Sequence, residues 1–230
     1  MTGWPEWDRE KLAAAIDHTL LKPDAGREDV RKLCDEALEY RFHSVCVHGG
    51  WVPFCRGILA GSPVSISAVC GFPLGAAAPE VKAFEAARAV ENGASEIDMV
   101  LQIGRLREGD EEAVREDIRQ VVEAVKGGAI VKVILETGML ADDQKKTACR
   151  LAAEAGAHFV KTSTGFGPGG ATAEDVRLLR AHAAPGMGVK ASGGIRDLAA
   201  ALRMLQAGAN RLGTSSGVAI LQGGAGDRPY

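Results

Sequence analysis

Three stretches of this chain repeat one pattern: a glycine that closes a helix, an alanine, and then a short strand. They read Asn92-Gly93-Ala94-Ser95-Glu96-Ile97-Asp98, Ala155-Gly156-Ala157-His158-Phe159-Val160-Lys161 and Ala207-Gly208-Ala209-Asn210-Arg211-Leu212-Gly213. Counted from each glycine, Asp98, Lys161 and Gly213 share one offset. If the three strands start level, those residues stand at one height and point the same way. Strand-like runs alternate with amphipathic helical stretches along almost the whole chain, which implies parallel strands joined by helical crossovers. Strands are expected at 14–17, 44–47, 64–69, 96–101, 130–135, 158–161, 188–191 and 211–213. In the helix expected at 79–92, Val81, Phe84, Ala87 and Val90 recur at near-helical spacing, with Gly93 as its cap. Helices are also expected at 111–126 and from Asp197 to Gly208.

Eight candidate strands and the repeated junction favour a single-domain (β/α)8 TIM barrel spanning 1–230, with 222–230 as a loose tail. A doubly wound sheet is the competing architecture. It calls for a glycine-rich loop after an early strand, and no G-x-G-x-x-G occurs there. A length of 230 residues suits one barrel, and a net charge of −3 without a basic block gives no nucleic-acid footprint. No apolar run approaches the ~20 residues of a membrane span, and the first residues do not resemble a signal peptide. Five cysteines without a C-x-x-C pair read as free thiols of a cytoplasmic protein.

In such barrels the chemistry gathers at the C-terminal ends of the strands. Lys161 follows Phe159-Val160, and Lys190 lies in the next strand. A lysine within an apolar strand loses hydration, and a second cation nearby lowers its pKa further. Such an amine condenses with a carbonyl to an iminium, an electron sink for breaking the adjacent C–C bond. Asp98 is the candidate proton shuttle. A structural ion pair of Lys161 with Asp98 or Glu136 is the plain alternative, and Lys132 and Glu136 share a strand face suited either to extending the polar network at the mouth or to an ordinary internal salt bridge. Two loops suit phosphate: Ser192-Gly193-Gly194-Ile195-Arg196-Asp197, just before a helix, and Gly213-Thr214-Ser215-Ser216-Gly217. The glycine-rich loop after Gly165 is expected to shape the site, with Gly165 alone reaching a ligand. The five histidines form neither H-x-H nor H-E-x-x-H, so no metal is expected.

Taken in order, Ile16-Asp17-His18-Thr19-Leu20-Leu21-Lys22-Pro23, Val45-Cys46-Val47, Ala68-Val69-Cys70-Gly71-Phe72-Pro73-Leu74-Gly75, Glu96-Ile97-Asp98-Met99-Val100, Val133-Ile134-Leu135-Glu136-Thr137, Phe159-Val160-Lys161-Thr162-Ser163-Thr164-Gly165 and Val189-Lys190-Ala191-Ser192-Gly193-Gly194 resemble the deoxyribose-phosphate aldolase family. The resemblance implies reversible cleavage of 2-deoxy-D-ribose 5-phosphate to acetaldehyde and D-glyceraldehyde 3-phosphate. It makes Lys161 the Schiff-base lysine, Lys190 the second lysine that tunes it, and Asp98 the proton donor and acceptor. It further implies no metal or organic cofactor, and a homodimer or homotetramer. Two departures stand out: Phe166 occupies a position where several longer members carry a lysine, and His48-Gly49-Gly50-Trp51 lacks a usual proline. In some members a C-terminal tyrosine assists proton transfer, a role open to Tyr230. Other lysine-dependent aldolases or transaldolases, a phosphosugar isomerase or decarboxylase barrel, and a non-catalytic sugar-phosphate binder remain as alternatives.

Overall fold

The computed structural model of the chain describes residues 8–226. Eight parallel strands close into one barrel in chain order, β8 pairing back to β1. The strands are β1 Ile16–Thr19, β2 Ser44–Val47, β3 Ser65–Cys70, β4 Glu96–Val100, β5 Ile130–Ile134, β6 Phe159–Lys161, β7 Gly188–Ser192 and β8 Arg211–Thr214. Helix α1 (Arg9–Ala13) precedes β1, and α2 (Arg27–Tyr40), α3 (Val52–Leu59) and α4 (Pro79–Asn92) follow the first three strands. Helices α5 (Ile103–Glu108) and α6 (Glu111–Ala124) follow β4, then α7 (Asp142–Glu154), α8 (Ala173–His182), α9 (Leu198–Gln206) and α10 (Gly217–Leu221) complete the outer layer. No helix among the described residues is long and apolar enough to cross a membrane.

The strands lie within a residue of the expected bounds except β1, which starts two residues later than expected. Ala14 still holds the right-handed helical conformation as the cap of α1, so Ala14 and Ala15 serve as its exit turn. Of the segment 222–230 read as loose, Gln222 donates from Nε2 to the Tyr40 hydroxyl at 2.9 Å, Ala225 bridges Asp197, and Gly226 N donates to Arg196 O. Tyr230 lies outside the described residues.

Alternation along each strand divides the interior into two environments. Ile16, Val45, Ile66, Ala68, Ile97, Met99, Val131, Val133, Val160, Val189 and Leu212 join the apolar layer beneath the helices. Their neighbours, among them Asp17, Ser67, Asp98, Lys132, Lys161 and Lys190, are buried and face the barrel axis. This barrel is therefore filled largely by polar side chains, where aliphatic layers are common. At its base the Phe159 ring occupies the space beside Gly188, where a Cβ would fall 2.1 Å from Cε1. The Arg211 guanidinium lies 5.7 Å from that ring's centroid.

Helix α4 is rotated from its expected phase. Val81 and Phe84 are 53% and 68% exposed, and the buried face is Lys82, Ala86 and Ala89. The cause is Lys82, whose Nζ donates to the Val100 carbonyl at 2.9 Å and to Asp117 Oδ2 on α6 at 2.7 Å. A fully buried ammonium is tolerated only with such partners, so the pair sets the helix phase at the expense of two apolar side chains.

Candidate active site

Register brings the charged side chains together. Asp98 is level with Lys132 across β4–β5, Lys161 with Lys190 across β6–β7, Lys190 with Arg211 across β7–β8, and Asp17 with Gly213 across β1–β8. Asp98 lies at the centre. Its Oδ2 accepts from Lys161 Nζ and from Lys190 Nζ, both at 2.7 Å. Its Oδ1 accepts from Lys132 Nζ at 2.7 Å and from Ser67 Oγ at 3.1 Å. Lys190 also meets Asp17 Oδ2 at 2.5 Å, while Arg211 donates to Asp17 Oδ1 at 2.8 Å. Below them Lys132 meets Glu96 Oε2 at 2.5 Å, and Glu96 Oε1 lies 3.0 Å from His43 Nε2.

Apart from His43, four cationic side chains (Lys132, Lys161, Lys190, Arg211) thus share three carboxylates (Asp17, Glu96, Asp98). One positive charge is in surplus when all are ionised, and burial makes that surplus costly. Burial and the Lys190 charge outweigh Asp98 and hold the Lys161 amine below the ordinary lysine range. Burial also opposes the Lys190 ammonium, but Asp17 and Asp98 overcome it and hold that group well above the range. Against burial, Asp98, Asp17 and Glu96 raise Lys132 in the same way. Burial alone would lift the Asp98 carboxyl, yet Lys132, Lys161 and Lys190 keep it well below the usual carboxylate range. Lys161 is therefore the amine of this group that most readily gives up its proton, and the other three cations then match the three carboxylates.

One wall beside these groups is apolar. Leu21, Cys46 and Val69 form a small cluster apart from the main core, with Phe72 against it. Phe72 meets His48 edge-on at 5.9 Å and Phe166 edge-on at 5.4 Å, so an aromatic strip climbs from the inner cluster to the exposed Phe166. Lys161 is bonded to Asp98, as the plain reading required, but within a group that lowers its pKa. Glu136 does not join Lys132. Its backbone is left-handed (φ 57°), and its carboxylate accepts from Thr164 N at 3.3 Å and from the Thr164 hydroxyl. It links the loop after β5 to the loop after β6, immediately beyond Lys161.

The three glycine-bearing loops interlock. Gly193 has φ 90°, and its carbonyl accepts from Ala171 N at 2.9 Å. A Cβ on Gly170 would sit 2.5 Å from the same carbonyl oxygen, so the chains meet only because that position has no side chain. Gly165 (φ 87°) begins this loop, and Gly194 (φ 77°) continues the next. Asp197 caps α9 itself, accepting from Ala200 N at 2.7 Å. That carboxylate occupies the helix N-terminus, so an anion at this loop would rely on the amides near Gly193 and Gly194. Gly213 has a second part: a Cβ there would lie 3.1 Å from Lys190 Cε and 3.0 Å from Ser192 Cβ. Ser215 is half-buried on a cavity of about 200 Å³ whose wall includes His18, Lys22 and Glu36.

Sequence reasoning missed Asp17, Glu96 and Arg211 as members of the central group, and of its two readings for Lys132 the structure shows the polar network and not a salt bridge with Glu136. Their signal was the period of two, as in Glu96-x-Asp98 and Lys190-x-Ser192, which places polar residues on the axial face.

Residues 11–223 match the model of a family described as DeoC/LacD family aldolase. A deoxyribose-phosphate aldolase of Geobacillus sp. (strain WCH70) is 53% identical, with 95% of this chain and 98% of that protein covered. One from Carboxydothermus hydrogenoformans is 57% identical over 93% of this chain and 95% of its own length. Among solved structures, the tetrameric deoxyribose phosphate aldolase of Aeropyrum pernix superimposes with a TM-score of 0.88 at 40% identity, covering 94% of this chain and 91% of that one.

Proposed function

The chain belongs to the DeoC/LacD family of aldolases, and on that premise we infer that it is a lyase acting on 2-deoxy-D-ribose 5-phosphate. It cleaves this substrate reversibly to D-glyceraldehyde 3-phosphate and acetaldehyde. Lys161 is the proposed nucleophile, and the observation that carries the assignment is its place as the surplus cation around Asp98. The free amine adds to the C1 aldehyde, and loss of water leaves an iminium. The C3 hydroxyl then loses its proton, the C2–C3 bond breaks, and its electron pair flows into the iminium to give an enamine. Protonation at C2 and hydrolysis release acetaldehyde and restore the amine. Asp98 suits the proton acceptor, being held ionised at hydrogen-bond distance from Lys161, and the Lys190 ammonium suits the donor.

The apolar cluster of Leu21, Cys46, Val69 and Phe72 supports placing the two-carbon fragment against that wall. The phosphate is assigned to the opposite loops, at Gly165, Gly193, Gly194, Gly213 and Ser215. The exposed Val81, Phe84 and Leu74 support a homodimer or homotetramer. Light scattering should find the Phe84→Lys variant smaller than the parent, and a monomeric parent at micromolar concentration counts against assembly. All five cysteines are buried free thiols, in keeping with a cytoplasmic enzyme.

The deciding experiment treats the protein with acetaldehyde and borohydride and maps the reduced adduct by mass spectrometry. A two-carbon adduct on Lys161 is expected. An adduct confined to another lysine, or cleavage that survives Lys161→Arg, would overturn the assignment.

A further inference from the structure

The central group does not end at the barrel mouth. From Asp98 Oδ1 the chain of contacts runs to Lys132 Nζ at 2.7 Å, to Glu96 Oε2 at 2.5 Å, and from Glu96 Oε1 to His43 Nε2 at 3.0 Å. His43 immediately precedes β2, its backbone N–H donates to Ile16 O at the start of β1, and its side chain is 33% exposed. It therefore stands at the N-terminal face, the end of the barrel opposite the loops that hold the substrate. A continuous file of titratable groups thus joins Lys161 and Asp98 to solvent beneath the barrel.

We propose that Lys132, Glu96 and His43 form a relay that exchanges protons between Asp98 and bulk water through the base of the barrel. The inference rests on the assignment of Lys161 as the imine-forming lysine. When Asp98 takes a proton from the reacting carbon or hydroxyl, it passes a proton to Lys132 as Lys132 passes one of its own to Glu96 Oε2. Rotation of the Glu96 carboxyl presents that proton to His43, whose ring turns from donating its Nε2–H to offering its unprotonated nitrogen, takes the proton there and releases one to water. Each group returns to its starting charge, and no bond to carbon is involved. Asp17, Lys190 and Arg211 flank this file. The branch through Arg211 is closed to protons because a guanidinium does not deprotonate in a protein, so Arg211 holds Asp17 and Glu96 in place as a fixed charge. The use of a second exit is physical. Substrate fills the mouth during the reaction, and a proton held on Asp98 with no outlet returns to the carbon it left.

The test follows deuterium entering the methyl group of the acetaldehyde released from 2-deoxy-D-ribose 5-phosphate in D2O by proton NMR, with borohydride trapping of added acetaldehyde run in parallel. His43→Gln keeps a donor for Glu96 and cannot carry a proton; His43→Ala opens the site to added imidazole. Expected is the parent's yield of trapped adduct on Lys161 in both variants, with deuterium entry slowed about tenfold or more and restored in His43→Ala by imidazole. Glu96→Gln should slow entry without imidazole rescue. Deuterium entry at the parent rate in His43→Gln overturns the relay, because protons then leave by the mouth. Slowed entry that imidazole fails to restore in His43→Ala also overturns it, as the mark of a structural role. Absence of a Lys161 adduct in the parent protein would instead defeat the underlying assignment.

Discussion

The reading of Lys161 as the free amine depends on Lys190 remaining charged beside it, and Lys190→Met removes that charge while nearly preserving length. Both ammonium nitrogens lie 2.7 Å from Asp98 Oδ2, so they stand no more than about 5.4 Å apart. Two unit charges at that distance repel by about 3 kcal/mol at an effective dielectric of 20. Losing this repulsion favours the Lys161 ammonium and lowers the fraction of free amine at neutral pH about a hundredfold. The change is reinforced because Asp98, with one cation fewer, pairs more strongly with Lys161. The assay is the initial rate of borohydride-trapped adduct formation with acetaldehyde, measured against pH. On the proposed assignment Lys161 reacts when neutral, so its rate rises with pH, and the rise should move to higher pH in Lys190→Met. Lys190→Arg retains a charge there and should keep the parent's profile for adduct formation. A pH profile identical to the parent's in Lys190→Met, with only a uniform loss, would refute the electrostatic coupling. The substitution also leaves Asp17 Oδ2 without its 2.5 Å partner, so folding is checked by circular dichroism before rates are compared.

Other changes test separate parts of the structure. Gly213→Ala should push on Lys190 through a Cβ about 3 Å from its Cε, lowering kcat about tenfold or more at unchanged far-UV circular dichroism. Lys82→Met should cost about 3–5 kcal/mol in urea unfolding by leaving Asp117 buried and unpaired, and Lys82→Met/Asp117→Leu should recover most of the loss. Burial alone would lift the Glu96 carboxyl, but Lys132, His43 and Arg211 overcome burial and Asp17 and hold it down to about 2. Its stabilising contribution, about 3 kcal/mol, is complete above its ordinary pKa of 4.5 and disappears as pH falls through 2. Acid titration of Glu96→Gln should show a correspondingly shallower loss of stability across that window.

The barrel was legible because parallel strands covered on both faces leave strong marks: short apolar runs, capped helices and the thrice-repeated glycine–alanine junction. Lys161, Lys190 and Asp98 were legible for the same reason, as charges inside otherwise apolar strands. Glu96 and Arg211 were less visible because each opens its strand, where a charged residue ordinarily belongs to the preceding turn. Lys82 was invisible in a different way. A lysine on an amphipathic helix reads as solvent-facing, and its burial depends on Asp117, 35 residues later on another helix. The same remote pairing explains why Val81 and Phe84, apolar at helical spacing, face outward. A periodicity reading weighs side chains one helix at a time, so the phase set by a partner on α6 is beyond it.

On the proposed assignment, the charge balance that favours a free Lys161 amine also acts after an imine has formed there. An iminium carries the positive charge of the ammonium it replaces, so the surplus charge returns to the same buried position. Electron flow from the breaking C2–C3 bond removes it by forming a neutral enamine. The surroundings that lower the pKa of the amine therefore raise the energy of the iminium relative to the enamine, and the C–C cleavage step gains from the same repulsion. This predicts a split in Lys190→Met that amine titration alone would not produce. At a pH high enough to free Lys161 again, adduct trapping should regain most of the parent's rate, while cleavage of 2-deoxy-D-ribose 5-phosphate should remain slow because the iminium is no longer opposed by a neighbouring charge and the proton donor at position 190 is gone. Full recovery of both rates at high pH would confine the effect of Lys190 to the free amine and refute its action on the bond-breaking step.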